Sequence, residues 1–474
     1  MSTTNKKVTK GQAFFMLILG IALVVIGFML TEDADAVILL CVGAILSVIA
    51  IFFKATTYSE IQSTAIALAK NMLMPILIVF AVGMMVGSWV LSGTVPIMVY
   101  YGIQIISPSI FYFLTCLICF VMALIMGSSW GTLSTVGIAF LGMSAGLGLS
   151  PVITAGAIAS GALCGDKCSP MSDSPNVACA VSRCNLFEGC LHGAKTSIPA
   201  LVICLVYFLI LGFGENVTGT TDTAEYNLIM DNLSTIFNLN PLLLLPPIVV
   251  IVLIAMKKPI LPTFAAGIVL AGILAFVFQG ANLYSWAGAM MNGYTEATGI
   301  EIIDEIVLRG GLSGFLGVAA ILISACVFGA PLRSAGVIDA LLDLITTTSK
   351  SPRSMLSKVY AMCLSFFIIT GGYDLTYAAL GPMLPEVFDK FHVHRKNLAR
   401  LLQDCTISLS PMIPWGGMGA FYAATLGVKN IDFFFYAPLT WLAPLIGFIY
   451  ILTGFTITKV TDEEIAAQDA ALES

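Results

Sequence analysis

Long apolar runs separated by short polar clusters dominate this chain. They fall near residues 11–30, 36–53, 71–91, 108–126, 131–146, 151–164, 196–213, 241–256, 259–278, 312–330, 355–370, 371–385, 401–427 and 433–457. About 20 apolar helical residues cover the hydrocarbon core of a bilayer, so the longer runs predict spanning helices. Shorter neighbours, such as 108–126 with 131–146, predict hairpins that enter and leave on one side. The run 11–30 follows Lys6, Lys7 and Lys10 and has no small-residue cleavage site, which favours a retained first span over a signal peptide.

Charge then orients these elements. Segments 1–10, 54–70, 257–258, 331–358 and 386–400 hold 15 of the 21 Lys and Arg residues and are expected on the cytoplasmic side. Segments 31–36, 92–107 and 214–240 hold none, and two of them, 31–36 and 214–240, carry seven acids, so all three are expected outside. Threading the chain through these constraints gives five crossings and one hairpin in each half, with the second half upside down. The expected fold is an all-α polytopic membrane protein, an inverted repeat of two halves, each with about five spanning helices, one re-entrant hairpin and one broken helix. Its parts are a cytoplasmic tail 1–10, a first repeat 11–213, an extracellular linker 214–240, a second repeat 241–457 and a cytoplasmic acidic tail 458–474. Ordered residue echoes agree: Gly87 with Gly329, Ser92 with Ser334, Gly127 with Gly371, Thr132 with Thr376, and Ser169-Pro170 with Ser410-Pro411.

Composition narrows the class further. With 58% hydrophobic and 10% charged residues, against about 25% charged in soluble domains, the chain belongs in a bilayer. No basic stripe suits nucleic acid, and no phosphate-binding glycine motif suits ATP-driven transport. Most of the 12 cysteines sit in apolar runs, where a free thiol acts as a small hydrophobe. The cluster Cys164, Cys168, Cys179, Cys184, Cys190 and His192 matches no familiar zinc spacing, though a metal-dependent sensor or membrane enzyme built on it is a distant alternative. His192, His392 and His394 are expected in solvated inner loops.

Candidate chemistry lies where polar groups interrupt the apolar runs. From Asn71 to Gly165, 95 residues pass without a charged side chain or histidine. Then comes Gly165-Asp-Lys-Cys-Ser-Pro-Met-Ser-Asp-Ser-Pro-Asn176. A carboxylate at bilayer depth costs several kcal/mol and is a functional-site hypothesis by default. Pro170 and Pro175 break the helix and free backbone carbonyls beside it, the usual construction of ion sites in secondary transporters. Carboxylate, hydroxyl and carbonyl oxygens suit a hard cation such as Na⁺. A buried carboxylate also binds a proton, so the two cargoes compete for one site.

Asp173 is the principal candidate for Na⁺ and H⁺, with Asp374 as second sodium ligand and Asp166, Ser169, Ser172 and Asn176 as helpers. Lys167 is expected to pair with Asp166 or to snorkel, unless it binds a proton itself. Hairpin one turns at Gly127-Ser128-Ser129-Trp130-Gly131-Thr132, offering Ser128, Ser129 and Thr132. Hairpin two turns at Gly371-Gly372-Tyr373-Asp374-Leu375-Thr376, adding Thr376. A second break, Gln403 to Gly417, adds Asp404, Thr406 and Ser410, with an Arg400–Asp404 surface pair as the plain alternative for its acid.

Three of these stretches, Gly127-Ser-Ser-Trp-Gly-Thr132, Gly165 to Asn176 and Ser410-Pro-Met-Ile-Pro-Trp415, resemble the signatures of the NhaC family of bacterial Na⁺/H⁺ antiporters. The resemblance extends over essentially the whole chain. It implies Na⁺/H⁺ exchange across the bacterial cytoplasmic membrane without a cofactor, paired hairpins and broken helices, a homodimer, and an elevator-like shift. Similar proteins couple malate uptake to lactate exit, so exchange of a small organic anion, or of an amino acid, is the alternative. The chain departs from the family pattern at Gln403-Asp404-Cys405-Thr406-Ile407, which lacks an expected additional acid, and at Gly417.

Overall fold

The computed structural model describes residues 7–31, 35–214, 223–256 and 258–465. Lys6, part of the linker and the tail from residue 466 lie outside them. Among the described residues the chain is helical, with no strand and one isolated backbone bridge, Val393 to Lys459. That follows from the composition, because in lipid every backbone N–H and C=O needs an internal partner, which a helix supplies from within one segment. Among the described residues, seven helices are long and apolar enough to cross a bilayer: Lys10–Phe28, Leu73–Leu91, Pro108–Met126, Leu186–Gly214, Ile260–Phe278, Leu312–Ser334 and Pro352–Thr370. The chain is a multi-pass membrane protein. Shorter apolar helices, Ala36–Phe52, Thr94–Ile105 and Pro438–Thr453, pack beside them, and the pair Met230–Ile236 and Pro241–Ala255 is bent by 95°.

Helix ends follow local chemistry. Proline opens the helices at 108, 151, 352 and 438, where its missing N–H costs nothing. Glycines with positive φ separate paired helices at Gly93, Gly127, Gly336 and Gly371. The order of elements runs in parallel through the two halves. A long apolar helix, a left-handed glycine and a 12-residue helix appear at 73–105 and again at 316–348. Nineteen-residue helices ending in left-handed glycine appear at 108–126 and at 352–370, each followed by a shorter helix. A helix interrupted near its polar end appears at 151–181 and at 396–426.

Several regions differ from expectation. Segment 54–70, read from its charges as a loop, contains helix Tyr58–Asn71, started by a capping box in which Thr57 and Glu60 satisfy each other's backbone. Helices Thr94–Ile105 and Val337–Thr348 replace the expected connections after Gly93 and Gly336. Part of the linker is helical, Thr223–Ile236. Helix Leu186–Gly214 starts ten residues before the apolar run it contains, which carries His192 and Thr196 into the interior. His192 is buried, its Nε2 3.1 Å from Asn397 Oδ1, and is not the solvated loop histidine that charge counting suggests. A one-turn π segment, Leu133–Gly137, follows the first hairpin tip. There Ser134 and Thr135 donate to the carbonyls of Trp130 and Gly131 at 2.8 and 2.7 Å, competing with the regular helical bonds.

Candidate functional site

Two chain reversals and two helix breaks converge in the interior. At the first reversal, helix Pro108–Met126 ends in Gly127 at φ 62°. Phe111 and Phe140 stack edge to face with centroids 5.8 Å apart, so the returning chain lies beside the outgoing helix. A Cβ on Gly127 would sit 2.7 Å from the Met171 carbonyl carbon, within the first break. The second reversal has the same construction. Gly371 lies at φ 63°, and a Cβ there would sit 2.6 Å from Gly416 Cα in the second break. Trp415 Nε1 fastens that contact by donating to the Ile368 carbonyl at 2.6 Å.

These close approaches give a graded prediction. Gly127→Ala and Gly371→Ala incur the left-handed backbone penalty of about 1–2 kcal/mol plus a backbone clash. Gly148→Ala, at φ 64° with open space around it, incurs the first cost alone. Thermal melts in detergent are expected to place both hairpin variants below the Gly148 variant.

At the first break, helix Pro151–Cys168 stops at Ser169 and helix Asp173–Val181 begins after Ser172. Asp166, in the last turn of the first, is buried. Ser129 from the hairpin tip donates to its Oδ2 at 2.7 Å, and Ser172 donates to its Oδ1. Ser174 Oγ lies 3.5 Å from the same oxygen. The tip and both sides of the break therefore meet on one carboxylate. Asp173 is exposed in the first turn of its helix, and Asp374 is half-buried in the first turn of helix Tyr373–Leu380. Those two helices pack against each other. The three acids thus grade from interior to surface.

The remaining candidates are placed less centrally. Ser128 accepts from the Gly131 N–H at 3.1 Å, and Thr132 donates to the Ser128 carbonyl at 2.9 Å. Thr376 donates to the Gly372 carbonyl at 2.9 Å, and Ser410 to the Ile407 carbonyl at 2.7 Å. Ser169 donates to the Leu124 carbonyl at 2.8 Å. Asn176 uses its amide to hold the Pro170 and Ser172 carbonyls at 3.1 and 2.6 Å, pinning the break open. The Thr406 hydroxyl lies 3.1 Å from that of Tyr377.

Lys167 does not pair with Asp166. It reaches across to the second break, where its Nζ is 2.7 Å from Asp404 Oδ1 and 2.8 Å from Ser408 Oγ. Thr196 donates to the same Asp404 oxygen at 2.9 Å. Asp404 is 1% exposed and Lys167 0%, so this pair is sealed from solvent. Arg400, the alternative partner for Asp404, donates to Thr456 Oγ1 at 2.7 Å and lies over the Tyr450 ring. The sequence did not single out Ser174 or Ser408 as ligands and missed Thr196 altogether. Ser174 and Ser408 lie inside the polar motifs, but Thr196 sits in an otherwise ordinary apolar helix and gives no signal. The cysteine cluster does not converge: among the described residues no three His, Cys, Asp or Glu side chains are grouped to hold a metal ion.

The profile of the family described as "Na+/H+ antiporter family" matches residues 2–188 and 176–455. The chain belongs to that family. Among its antiporter relatives, the Na(+)/H(+) antiporter NhaC of Alkalihalophilus pseudofirmus is 33% identical over 462 residues, 96% of this chain and 98% of the relative. The malate-2H(+)/Na(+)-lactate antiporter of Bacillus subtilis is 32% identical over 84% of this chain and 85% of its own length. The arginine/ornithine antiporter ArcD of Halobacterium salinarum is 30% identical over 83% of this chain and 82% of its own. For this antiporter family member the motif resemblance and the whole-chain similarity agree.

Proposed function

We propose that this chain is a secondary transporter, with no enzymatic step and no cofactor, that exchanges Na⁺ for H⁺ across the bacterial cytoplasmic membrane at the Asp166, Asp173 and Asp374 cluster. The observation that carries the reading is the buried Asp166 carboxylate, ringed by hydroxyls of Ser129, Ser172 and Ser174. Oxygen donors around one ionisable group suit a small hard cation and a proton in turn. Asp166 accordingly takes precedence over Asp173, which is exposed and suits capture of the cation from water, with Asp374 between them. The hydroxyls of Ser128, Thr132 and Thr376 line the approaches. The paired order of elements supports two inverted copies with re-entrant hairpins, the Lys and Arg distribution supports cytoplasmic termini, and the family resemblance supports a homodimer. Everted vesicles with a pH dye test the exchange: Na⁺ is expected to trigger a proton flux, and an Na⁺-insensitive pH gradient would refute it.

Similarity to the malate/lactate and arginine/ornithine exchangers keeps a second reading in view, in which an organic ion is also carried. Three carboxylates at the site repel a dicarboxylate, and the helix N-terminus at 173 already holds one of its own. Labelled malate or lactate is therefore expected to show no uptake above that of empty liposomes. Uptake driven by a Na⁺ or pH gradient would favour the alternative.

A further inference from the structure

The two helix breaks carry two buried carboxylates with opposite complements. Asp166 is surrounded by hydroxyls, with no cationic side chain bonded to it among the described residues. Asp404 accepts from the Thr196 hydroxyl, but the same carboxylate oxygen also takes the Lys167 ammonium, which bonds Ser408 Oγ as well. Its position is informative. Lys167 and Ser408 are 241 residues apart, the same offset that separates Ser169-Pro170 from Ser410-Pro411. Positions that echo one another between the halves therefore touch, which puts the ammonium at the junction of the two copies. An ion pair so deeply buried needs hydrogen bonds to offset its desolvation, and the Asp404 and Ser408 oxygens take two of the three ammonium protons. Those are hard oxygen ligands of the kind an alkali cation takes.

We propose that Lys167 is a built-in cation occupying a second cation site, formed by Asp404, Ser408 and Thr196 at the junction of the halves. The antiporter is thereby restricted to one transported Na⁺ per chain, held at Asp166. The inference rests on the exchange reading above. Removing the ammonium while keeping its oxygens opens the site: Lys167→Ala leaves a buried negative carboxylate and a space of lysine length for an ion. Lys167 thus limits the number of cations the protein carries, and Asp404 serves the lysine and not the cargo.

The test uses the full-length protein, purified, with ²²Na⁺ binding at equilibrium and thermal melts in choline chloride against NaCl. In the Asp166→Asn background, adding Lys167→Ala is expected to raise binding by one Na⁺ per chain and to make the melting temperature Na⁺-dependent. Adding Asp404→Asn as well is expected to abolish both gains. A folded Asp166→Asn/Lys167→Ala protein with no increment over Asp166→Asn overturns the proposal, as does a wild-type protein that binds two Na⁺. Lys167→Ser, which supplies a hydroxyl in the same space, is the second variant. Failure of both Lys167 variants to fold even in high Na⁺ also counts against the proposal, because the ion should replace the lost ammonium. Na⁺ retained by Asp166→Asn alone bears on the exchange site, whereas the increment between the two proteins bears on Lys167.

Discussion

Asp166→Asn is expected to abolish Na⁺-triggered proton flux in everted vesicles while leaving the protein folded and inserted. Asparagine keeps one oxygen to accept from Ser129 or Ser172 and turns its amide N–H toward the other hydroxyl, which rotates to accept, so the architecture of the tip and break survives. It cannot carry the proton, and it offers the cation a neutral ligand in place of a charged one. Losing a charge-assisted contact of about 3 kcal/mol weakens Na⁺ binding roughly 100-fold, and losing the titrating group removes coupling altogether. Asp173→Asn should behave differently. Its carboxylate is exposed, so solvent screening limits its contribution and its loss is expected to change apparent Na⁺ affinity only a few-fold. Equal defects in the two variants would contradict the precedence given to Asp166.

The second large effect concerns the sealed pair. Lys167→Met in Na⁺-free buffer is expected to destabilise the fold by about 3–5 kcal/mol, because it leaves the Asp404 carboxylate buried without a counter-charge. Adding Asp404→Asn should recover most of that loss, since a neutral amide opposite a methionine carries no such penalty. The two substitutions are therefore strongly non-additive, and a double-mutant cycle on melting midpoints reads the coupling directly. Additive effects would mean that the 2.7 Å contact between Lys167 and Asp404 contributes nothing specific.

The hairpin tips and the breaks were legible in the sequence because glycine, proline and hydroxyl residues interrupt long apolar runs there and little else in the chain does. The glycine echoes marked where the chain would reverse, and Gly127 and Gly371 do stand at reversals in left-handed conformation. What the pattern could not specify was which side chains meet across sequence distance. Ser129 and Asp166 are 37 residues apart, and Lys167 and Asp404 are 237 apart. A lysine beside an aspartate reads as a local pair, yet neighbours on a helix point about 100° apart, so Lys167 faces the second break while Asp166 faces the first hairpin. The same limit explains the ranking of the acids. With Lys167 assigned to Asp166, Asp173 ranks first in the polar motif, and only the cap at Ser172 decides that Asp166 is enclosed and Asp173 starts a new helix at the surface. Helices such as Tyr58–Asn71 were missed for another reason: charge counting assigns a side of the membrane and is blind to an amphipathic helix lying there.

Competition between one cation and one proton for Asp166 is tested most directly by proton release. Adding Na⁺ to purified protein in weakly buffered detergent solution at fixed ionic strength is expected to release protons in a saturable manner, and Asp166→Asn is expected to release none. Sodium binding without proton release, or release undiminished in Asp166→Asn, would contradict the account.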